Sequence, residues 1–232
     1  MRVIILAGGM GTRLRPYTVT LPKPLVPVGE RSILDIVLSQ LRLFGVQHVT
    51  MAVNHLSHLI MAYFGDGERW NMKIDYSIED KPLSTIGPLK LMKNLPENFL
   101  VMNGDILTDL NLLNLYSYHI KNNADLTVSI FKRDSKIDFG VIHTDATNRI
   151  TGFEEKPVFH HHVSMGVYVI NRRLLDMVPE GVPYGFDDLM NSCLKQKRAV
   201  FGFPHSGYWL DIGRPDDYEK ANEDIELLNS IL

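Results

Sequence analysis

An α/β fold is predicted, with a doubly wound, mostly parallel sheet and a mixed-sheet extension. Over the first 125 residues, short β-branched stretches such as Val3–Ile5 and Val49–Val53 alternate with helical stretches that are apolar on one side. This alternation is typical of a parallel sheet covered by helices. After residue 126 the predicted strands follow one another without long helices, which indicates a mixed sheet. A hydrophobic content of 45% is sufficient for an ordinary globular core.

The elements of the first half follow from periodicity and from helix-capping residues. Ser32 is a candidate N-cap for a helix that runs through Phe44, because apolar residues recur at helical spacing after it. The other predicted elements are, in order, a strand over Val49–Val53, a helix over Leu56–Phe64, a strand over Ile74–Ile78, a short helix that ends near Leu95, a strand over Phe99–Asn103 and a helix over Leu110–Asn122 capped by Asp109.

The second half is predicted to contain strands over Leu126–Phe131, Gly140–His143, Ile150–Glu154 and Val163–Ile170, a helix from Phe186 to Gln196, strands over Val200–Phe203 and Tyr208–Asp211, and a closing helix from Pro215. Proline suits the first position of that helix. Its apolar stripe packs on the chain's own core or, alternatively, forms a dimer contact; the stripe comprises Tyr218, Ala221, Ile225, Leu228 and Leu232. We predict a single domain over residues 1–232, with halves of about 1–125 and 126–232.

Charge and composition exclude several classes of function. A net charge of −3 does not support a nucleic-acid or membrane surface, so an anionic substrate requires local cations. The apolar run at Val3–Leu6 is too short, and too soon followed by glycines, for a signal peptide, and no apolar stretch approaches ~20 residues, so we expect a cytoplasmic protein. The single cysteine, Cys193, excludes an internal disulfide and is expected to be buried in a helix. The triplet His160–His162 is interpreted as a solvated loop, not a metal site.

A glycine-rich turn directly follows the first predicted strand. Residues 6–29 read LAGGMGTRLRPYTVTLPKPLVPVG. Gly8, Gly9 and Gly11 let the backbone approach a ligand closely, while Arg13 and Lys23 supply positive charge. Such a turn suits a polyphosphate. The spacing does not match a P-loop, because no lysine follows the glycines closely enough, and the dinucleotide fingerprint fails at Leu14.

Three further sites carry acidic or basic residues. Asp105 directly follows a predicted buried strand, at the edge where open α/β sheets bind ligands. Asp211 also ends a predicted strand, and either aspartate could instead cap the following turn. Glu155 and Lys156 lie in a charged run, and such a run is usually a solvated turn.

These stretches together resemble the sugar-1-phosphate nucleotidylyltransferase family. The resemblance covers Val3 to about Asn222 and includes, in the family's order, the loop over residues 6–29, Gly104-Asp105, Glu155-Lys156-Pro157 and the Trp-Leu-Asp-x-Gly motif over residues 209–213. It implies a Rossmann-like fold and attack by a sugar 1-phosphate on a nucleoside triphosphate, with release of pyrophosphate. Short members of this family lack a C-terminal β-helix, and the chain resembles them.

The resemblance also implies roles for individual residues. Mg²⁺ would be the cofactor, bound by Asp105 and Asp211, which suits hard oxygen ligands. The implied catalytic residues are Arg13, Lys23, Asp105 and Asp211. The implied nucleotide-binding residues are Leu6, Ala7, Gly8, Gly9, Gly11, Thr12, Arg13, Lys23, Gly87 and Asp105. The implied residues for binding the sugar phosphate are Gly140, Glu155, Lys156 and Gly166.

Two departures from the family pattern leave the substrates open. Ile86 stands where alanine is usual on the base side, and Ser164 stands where the sugar-side motif has asparagine. The base therefore stays open among GTP, UTP, dTTP and CTP, as does the sugar. A glycosyltransferase of similar fold and an inactive subunit that senses nucleotide sugars are the alternative functions. The expected partners are only the two substrates, and the expected state is a monomer or homodimer.

Overall fold

The computed structural model describes residues 1–231, which form the α/β fold expected from the sequence. Thirteen strands are present in this range. In chain order they are β1 (Val3–Leu6), β2 (Pro27–Val28), β3 (Arg31–Ser32), β4 (His48–Val53), β5 (Lys73–Ile78), β6 (Asn98–Asn103), β7 (Ile106–Thr108), β8 (Leu126–Lys136), β9 (Val141–Thr144), β10 (Ile150–Glu154), β11 (Val158–Asn171), β12 (Val200–His205) and β13 (Trp209–Asp211).

The central sheet has seven strands in the order β12-β8-β11-β6-β1-β4-β5. The strands β6, β1, β4 and β5 are mutually parallel, and β12 is parallel to β8. The strand β11 runs antiparallel to both of its neighbours, β6 and β8. The predicted mostly parallel sheet is therefore confirmed, with its mixed part on the side built by the second half of the chain.

Helices cover both faces of this sheet. They are α1 (Ile33–Leu43), α2 (Ser57–Phe64), α3 (Leu112–Lys121), α4 (Phe186–Lys195), α5 (Pro215–Glu223) and α6 (Ile225–Ile231). In β1, Val3 and Ile5 belong to one buried cluster and Ile4 to the other, because successive side chains of a strand point to opposite faces. All helices except α4 contribute to the first cluster, whereas α4 contributes Leu189 and the buried Cys193 to the second.

Two helix predictions needed correction. The cap of α3 is Asn111, whose side chain accepts a hydrogen bond from the Asn114 amide (2.9 Å). Asp109 instead pairs with His205 (2.8 Å), so it is not available as a cap. The short helix predicted to end near Leu95 is a 3₁₀ helix over Gly87–Leu91.

The closing helix is interrupted at Asp224, which separates α5 from α6. The Asp224 carboxylate accepts a hydrogen bond from Tyr208 Oη (3.1 Å) and pairs with Lys220 (3.0 Å). Ala221 and Leu228 are buried in the core of the chain, and Tyr218 and Ile225 pack against it, so these stripe residues serve the chain's own core. Leu232, the last residue of the stripe, lies outside the described residues.

A two-stranded ribbon extends the sheet on one side. It consists of Lys132–Lys136 from β8 and Val158–His162 from β11, paired in antiparallel register, and it ends in the hairpin of β9 and β10. Both strands are thus longer than predicted. The triplet His160–His162 lies in β11 and not in a loop, although all three side chains are exposed as expected. No group of three or more potential metal-binding side chains exists among residues 1–231.

Buried polar groups anchor the end of α3 to the sheet. His119 is 1% exposed and contacts Thr127 Oγ1 through Nδ1 (2.9 Å) and Asn98 Oδ1 through Nε2 (3.0 Å). Burial, reinforced by the nearby Arg173 charge and opposed by Asp125, lowers the pKa of His119 to about 4. The ring is therefore neutral in the folded protein at pH 7.

We expect this histidine to make the fold acid-sensitive. Between the unfolded pKa of 6.5 and the folded pKa of about 4, the unfolded chain binds a proton that the folded chain excludes. The contribution of the neutral His119 ring to the free energy of unfolding is fully present above pH 6.5. This contribution is lost as the pH falls towards 4, by about 3 kcal/mol in total. Denaturant unfolding between pH 4 and pH 8 measures this loss. The difference in unfolding free energy between the wild type and His119→Gln should shrink as the pH falls; a constant difference would contradict the assignment.

The described residues contain no helix with the length and apolar character needed to cross a bilayer.

Candidate functional site

A cavity of about 420 Å³ opens at the carboxyl edge of the parallel strands. It forms there because the loops that follow β1, β4, β5 and β6 all leave the same edge of the sheet. Residues 6–10 after β1 and residues 103–105 at the end of β6 line two sides. The predicted nucleotide-binding residues Leu6, Ala7, Gly8, Gly9, Lys23 and Asp105 all line this cavity.

The glycine-rich loop is shaped by close backbone contacts. Gly11 has a left-handed backbone (φ 60°), and a methyl group there would lie 2.9 Å from Thr18 Cγ2. Thr18 Oγ1 donates to the Gly11 carbonyl (2.7 Å), which fixes the turn. A methyl group at Gly8 would lie 3.0 Å from Glu79 Oε1. Glycine at both positions therefore lets the loop fold tightly over neighbouring side chains.

The two predicted nucleotide-binding residues that directly follow Gly11 do not line the cavity. Thr12 and Arg13 begin a 3₁₀ turn (Thr12–Leu14), and both are exposed. The Arg13 guanidinium nevertheless lies beside the Trp-Leu-Asp-x-Gly motif, since a methyl group at Gly213 would be 3.4 Å from Arg13 Nη2. Arg13 thus places an exposed cation close enough to Asp211 to act on it electrostatically.

Lys23 is the buried cation of the site. Its ammonium pairs with Asp105 Oδ2, and the two side chains are only 11% and 21% exposed. The 3₁₀ helix Lys23–Leu25 positions this lysine, with Pro22 before it and Pro24 after it. The proline residues restrict the backbone on both sides of Lys23, and the ion pair with Asp105 holds its ammonium.

Asp105 and Asp211 are brought together by a short two-stranded sheet. The strands β7 and β13 pair antiparallel with Asp211 opposite Ile106, and the Ile212 amide donates to the Asp105 carbonyl (3.1 Å). Because 106 positions separate them in the sequence (211 − 105), only the tertiary structure creates this pair.

The two carboxylates influence each other electrostatically. Burial, followed by the negative charge of Asp105, raises the pKa of Asp211, while the cations of Lys23 and Arg13 partly offset the effect. Among residues 1–231, Oδ1 of Asp105 and Oδ1 of Asp211 are buried and have no hydrogen-bond partner. Unpaired buried acceptors of like charge are costly in a folded protein.

This donor set fits a hard divalent cation. Mg²⁺ takes oxygen ligands, commonly one or two carboxylates completed by phosphate oxygens and water. Asp105 and Asp211 could supply the two carboxylates, and a cation between them would satisfy both unpaired oxygens. Lys23 already neutralises the other oxygen of Asp105.

Several cavity residues were missed by the sequence-based prediction. Glu79 follows β5, is 8% exposed and lines the cavity; its Oε2 accepts a hydrogen bond from the Leu83 amide (2.9 Å). Burial raises the pKa of this carboxyl group, and the Leu83 hydrogen bond partly offsets the effect. Asn54 follows β4 and donates to the Glu79 carbonyl (2.9 Å). The other lining residues, to which the sequence-based prediction assigned no binding role, are Met10, Pro24, Ala52, His55, Pro82, Ser84, Thr85, Pro88, Asn103 and Gly104.

The predicted nucleotide-binding Gly87 is not part of the cavity wall. It is buried, and its amide donates to the Tyr184 carbonyl (2.9 Å). The Phe186 amide donates to Thr85 Oγ1 (2.8 Å), so the loop before Gly87 is held against the start of α4. The preceding residues Ser84 and Thr85 face the cavity instead.

The residues predicted to bind the sugar phosphate lie in two regions, one beside the cavity and one at the end of the ribbon. Gly166 has a left-handed backbone (φ 76°) and is buried, and a methyl group there would lie 2.7 Å from Asn103 Nδ2, beside the cavity. Gly140 lies at the far end of the ribbon, where a methyl group would be 3.2 Å from Glu155 Oε2. Lys156 (φ 47°) is exposed and lies 3.9 Å from Glu155. No hydrogen bond or ion pair within residues 1–231 joins Glu155 or Lys156 to the two aspartates.

Comparisons with known proteins agree with this architecture. The family model described as Nucleotidyl transferase matches residues 2–227. The chain is 34% identical over 226 residues to the mannose-1-phosphate guanyltransferase of Yarrowia lipolytica, covering 94% of this chain and 62% of that protein. It is 30% identical over 230 residues to the mannose-1-phosphate guanylyltransferase of Mycobacterium tuberculosis, covering 96% and 64%. The chain therefore spans somewhat less than two thirds of these relatives.

A solved structure has the same fold. HddC from Yersinia pseudotuberculosis, crystallised with GMP-PN, superimposes with a TM-score of 0.76 at 26% sequence identity, covering 97% of this chain and 99% of that chain. The glycine-rich loop, the cavity at the carboxyl edge and the family match over nearly all of the sequence together show that this chain belongs to the nucleotidyl transferase family.

Proposed function

We propose that this protein transfers a nucleoside monophosphate from a nucleoside triphosphate to a sugar 1-phosphate, releasing pyrophosphate. The juxtaposition of Asp105, Asp211 and Lys23 beside the cavity carries this proposal. An oxygen of the sugar phosphate attacks the α-phosphorus, a new P–O bond forms, and the bond to the β-phosphate breaks. Bound Mg²⁺ would neutralise charge on the phosphates as it develops.

The residues of the chain position the reacting groups. The glycine-rich loop offers backbone amides to the triphosphate, and Lys23 and Arg13 supply positive charge on either side of it. Lys156 would bind the phosphate of the sugar, and Glu155 its hydroxyl groups, with Gly140 allowing close approach. Such a mechanism needs no covalent protein intermediate, since positioning and charge stabilisation supply most of the rate.

GTP is the donor that the cavity favours. Guanine presents two neighbouring donors, N1–H and the N2 amino group, and the buried carboxylate of Glu79 can accept from such donors. Uracil and thymine present one ring N–H between two carbonyl oxygens, which the carboxylate would repel. The names of the two relatives, both mannose-1-phosphate guanylyltransferases, support GTP and make mannose 1-phosphate the first acceptor to test.

A pyrophosphate-release assay tests the reaction directly. GTP, ATP, UTP, dTTP and CTP are each combined with mannose, glucose and galactose 1-phosphates, with and without Mg²⁺. We expect turnover with GTP and a hexose 1-phosphate that depends on the metal. Binding of a nucleotide sugar without turnover would favour the sensing subunit. Sugar transfer from a nucleotide sugar to an acceptor would favour a glycosyltransferase; the absence of an Asp-x-Asp sequence at Asp105 argues against that function.

Glu79→Gln should change the choice of nucleotide. The amide has the same shape and can still accept from the Leu83 amide, but it loses the charge and presents an NH₂ group to a guanine donor. Loss of a charge-assisted contact costs about 1.5–3 kcal/mol, so kcat/KM for GTP should fall roughly 10- to 150-fold. Steady-state kinetics with GTP and UTP measure the ratio. The exposed Glu68→Gln is the matched control. An equal fall for both nucleotides would remove Glu79 from base recognition.

A further inference from the structure

The ribbon leaves two strand edges without a neighbouring strand. On one side, β12 pairs with β8 only as far as His205 opposite Phe131. On the other side, β6 pairs with β11 only from Val167 onwards. Beyond these points the ribbon continues for five residue pairs, about 17 Å at 3.3 Å per residue. Among residues 1–231, no strand covers either outer edge there.

The two edges differ in chemistry. The β8 edge reads Lys132-Arg133-Asp134-Ser135-Lys136, and charged residues, lysine above all, discourage the addition of another strand. The β11 edge over Val158–Val163 reads Val-Phe-His-His-His-Val and contains no Lys, Arg, Asp, Glu or Pro. Val158 and Phe159 are 46% and 41% exposed. Only the β11 edge therefore lacks the features that protect edge strands from pairing.

The sequence of the β11 edge is nearly symmetrical about His161. If two such segments pair antiparallel with His161 at the centre, Phe159 lies opposite Val163 of the other segment, and His160 lies opposite His162. Cross-strand pairs of aromatic and β-branched residues stabilise antiparallel sheets. Moving the twofold centre by one residue, to His160 or His162, would place Phe159 opposite His161 or Met165 and lose the match with Val163.

We propose that residues 158–163 pair with the same segment of a second copy of this chain, around a twofold axis at His161. The two ribbons would then form a four-stranded antiparallel sheet that connects the protomers. Main-chain hydrogen bonds along the edge provide affinity, and the Phe–Val pairs specify the register. A twofold contact uses the same patch on both copies, which the symmetrical sequence satisfies.

The edge of β11 is available to a second copy of the chain, because no strand within residues 1–231 covers it. The ribbon side chains 132–136 and 158–162 are exposed on both strands, so the body of the protein leaves the edge open to another molecule. Lys156 and Glu155 lie directly before the pairing segment, so dimerisation would also hold the end of the ribbon that carries them. The proposal itself concerns association only and stands whether or not the chain transfers nucleotides.

Disulfide cross-linking tests both contact and register. Directly opposed residues of an antiparallel pair have Cα atoms about 4.5–5.5 Å apart, within the range of a disulfide. His161→Cys should therefore form a covalent dimer under mild oxidation. His160→Cys is the matched control, because residue 160 opposes residue 162, and the two copies of residue 160 are diagonal neighbours about 7–8 Å apart. The natural Cys193 is buried.

Sedimentation equilibrium tests association without a cross-link. The wild type should dimerise in a concentration-dependent manner, and Phe159→Lys should weaken dimerisation at least about tenfold by placing an ammonium at the apolar pair. Ser135→Lys is the control, because Ser135 is paired with Phe159 but lies on the other edge of the ribbon. Circular dichroism checks that each variant folds.

The expected result is selective cross-linking of His161→Cys together with loss of the dimer only in Phe159→Lys. A wild type that stays monomeric at all concentrations would overturn the proposal. Equal cross-linking of both cysteine variants would show random collision, and a dimer unaffected by Phe159→Lys would place the interface elsewhere.

Discussion

Asp105→Asn and Asp211→Asn should each lower nucleotidyl transfer by about 10³-fold or more, because a bound divalent cation contributes several kcal/mol of charge stabilisation. An amide keeps the shape of the side chain but lacks the charge that a hard cation prefers. Oδ1 of Asp105 and Oδ1 of Asp211 have no hydrogen-bond partner within the described part of the chain, and in each variant the carboxylate would be replaced by an amide that binds the cation more weakly. Steady-state pyrophosphate release measures the loss.

Metal affinity gives the same test a readout that does not depend on turnover. Titration with Mn²⁺, followed by electron paramagnetic resonance, should show weaker binding in both variants. Asp211→Asn should not lower the free energy of unfolding, since it removes one charge from a pair that repels. Asp105→Asn also leaves the Lys23 ammonium without its carboxylate partner, so circular dichroism checks that this variant folds. Asp176→Asn, at an exposed position, is the matched control. Unchanged Mn²⁺ affinity with lost turnover would mean that the aspartates act on the substrate and not on a metal.

Lys23→Met should lower turnover by roughly 10- to 150-fold, the effect of losing a charge-assisted contact to phosphate. The same substitution should strengthen Mn²⁺ binding in the absence of nucleotide. In the structure the Lys23 ammonium pairs with Asp105 and competes with any cation for that carboxylate. Methionine has similar bulk and removes the competitor. The affinity for nucleotide should fall, because the triphosphate loses a buried cation.

The rise in Mn²⁺ affinity and the fall in nucleotide affinity distinguish a lysine that binds the triphosphate from one that only supports the loop. If Lys23 only stabilised the loop, its loss would reduce metal affinity and nucleotide affinity together. Lys93→Met, at an exposed site, is the control. Isothermal titration of Mn²⁺ and of GTP separately gives both affinities; a decrease in both would refute the proposed role of Lys23.

Local patterns were sufficient for most of the secondary structure. Ser32 caps α1 as predicted, since its side chain accepts from the Asp35 amide (3.2 Å). Capping and periodicity depend on residues three or four positions apart, so a sequence displays them directly. The predicted cap of α3, Asp109, instead contacts the distant His205, and Asn111 caps the helix.

Residues at the ends of parallel strands could be predicted, but only in part. Asp105 was recognised because it follows a strand, and the same rule applies to Asn54 and Glu79. These two were missed because the rule does not indicate which neighbouring strand ends surround the cavity. That depends on the strand order β6-β1-β4-β5, which a sequence does not display.

Local sequence patterns were sufficient to predict most helices and strands, the glycine-rich loop, and the chemical kinds of residue available for phosphate and metal. The partners of these residues depend on the tertiary structure. Lys23 and Asp105 are 82 positions apart, and Asp105 directly precedes β7, the strand that pairs with the strand β13 containing Asp211. The length of the ribbon was likewise unpredictable, because the backbone pairing of Lys132–Lys136 with Val158–His162 extends two strands through a polar, exposed sequence. Contacts between distant residues arise only when the chain packs, and no local pattern encodes them.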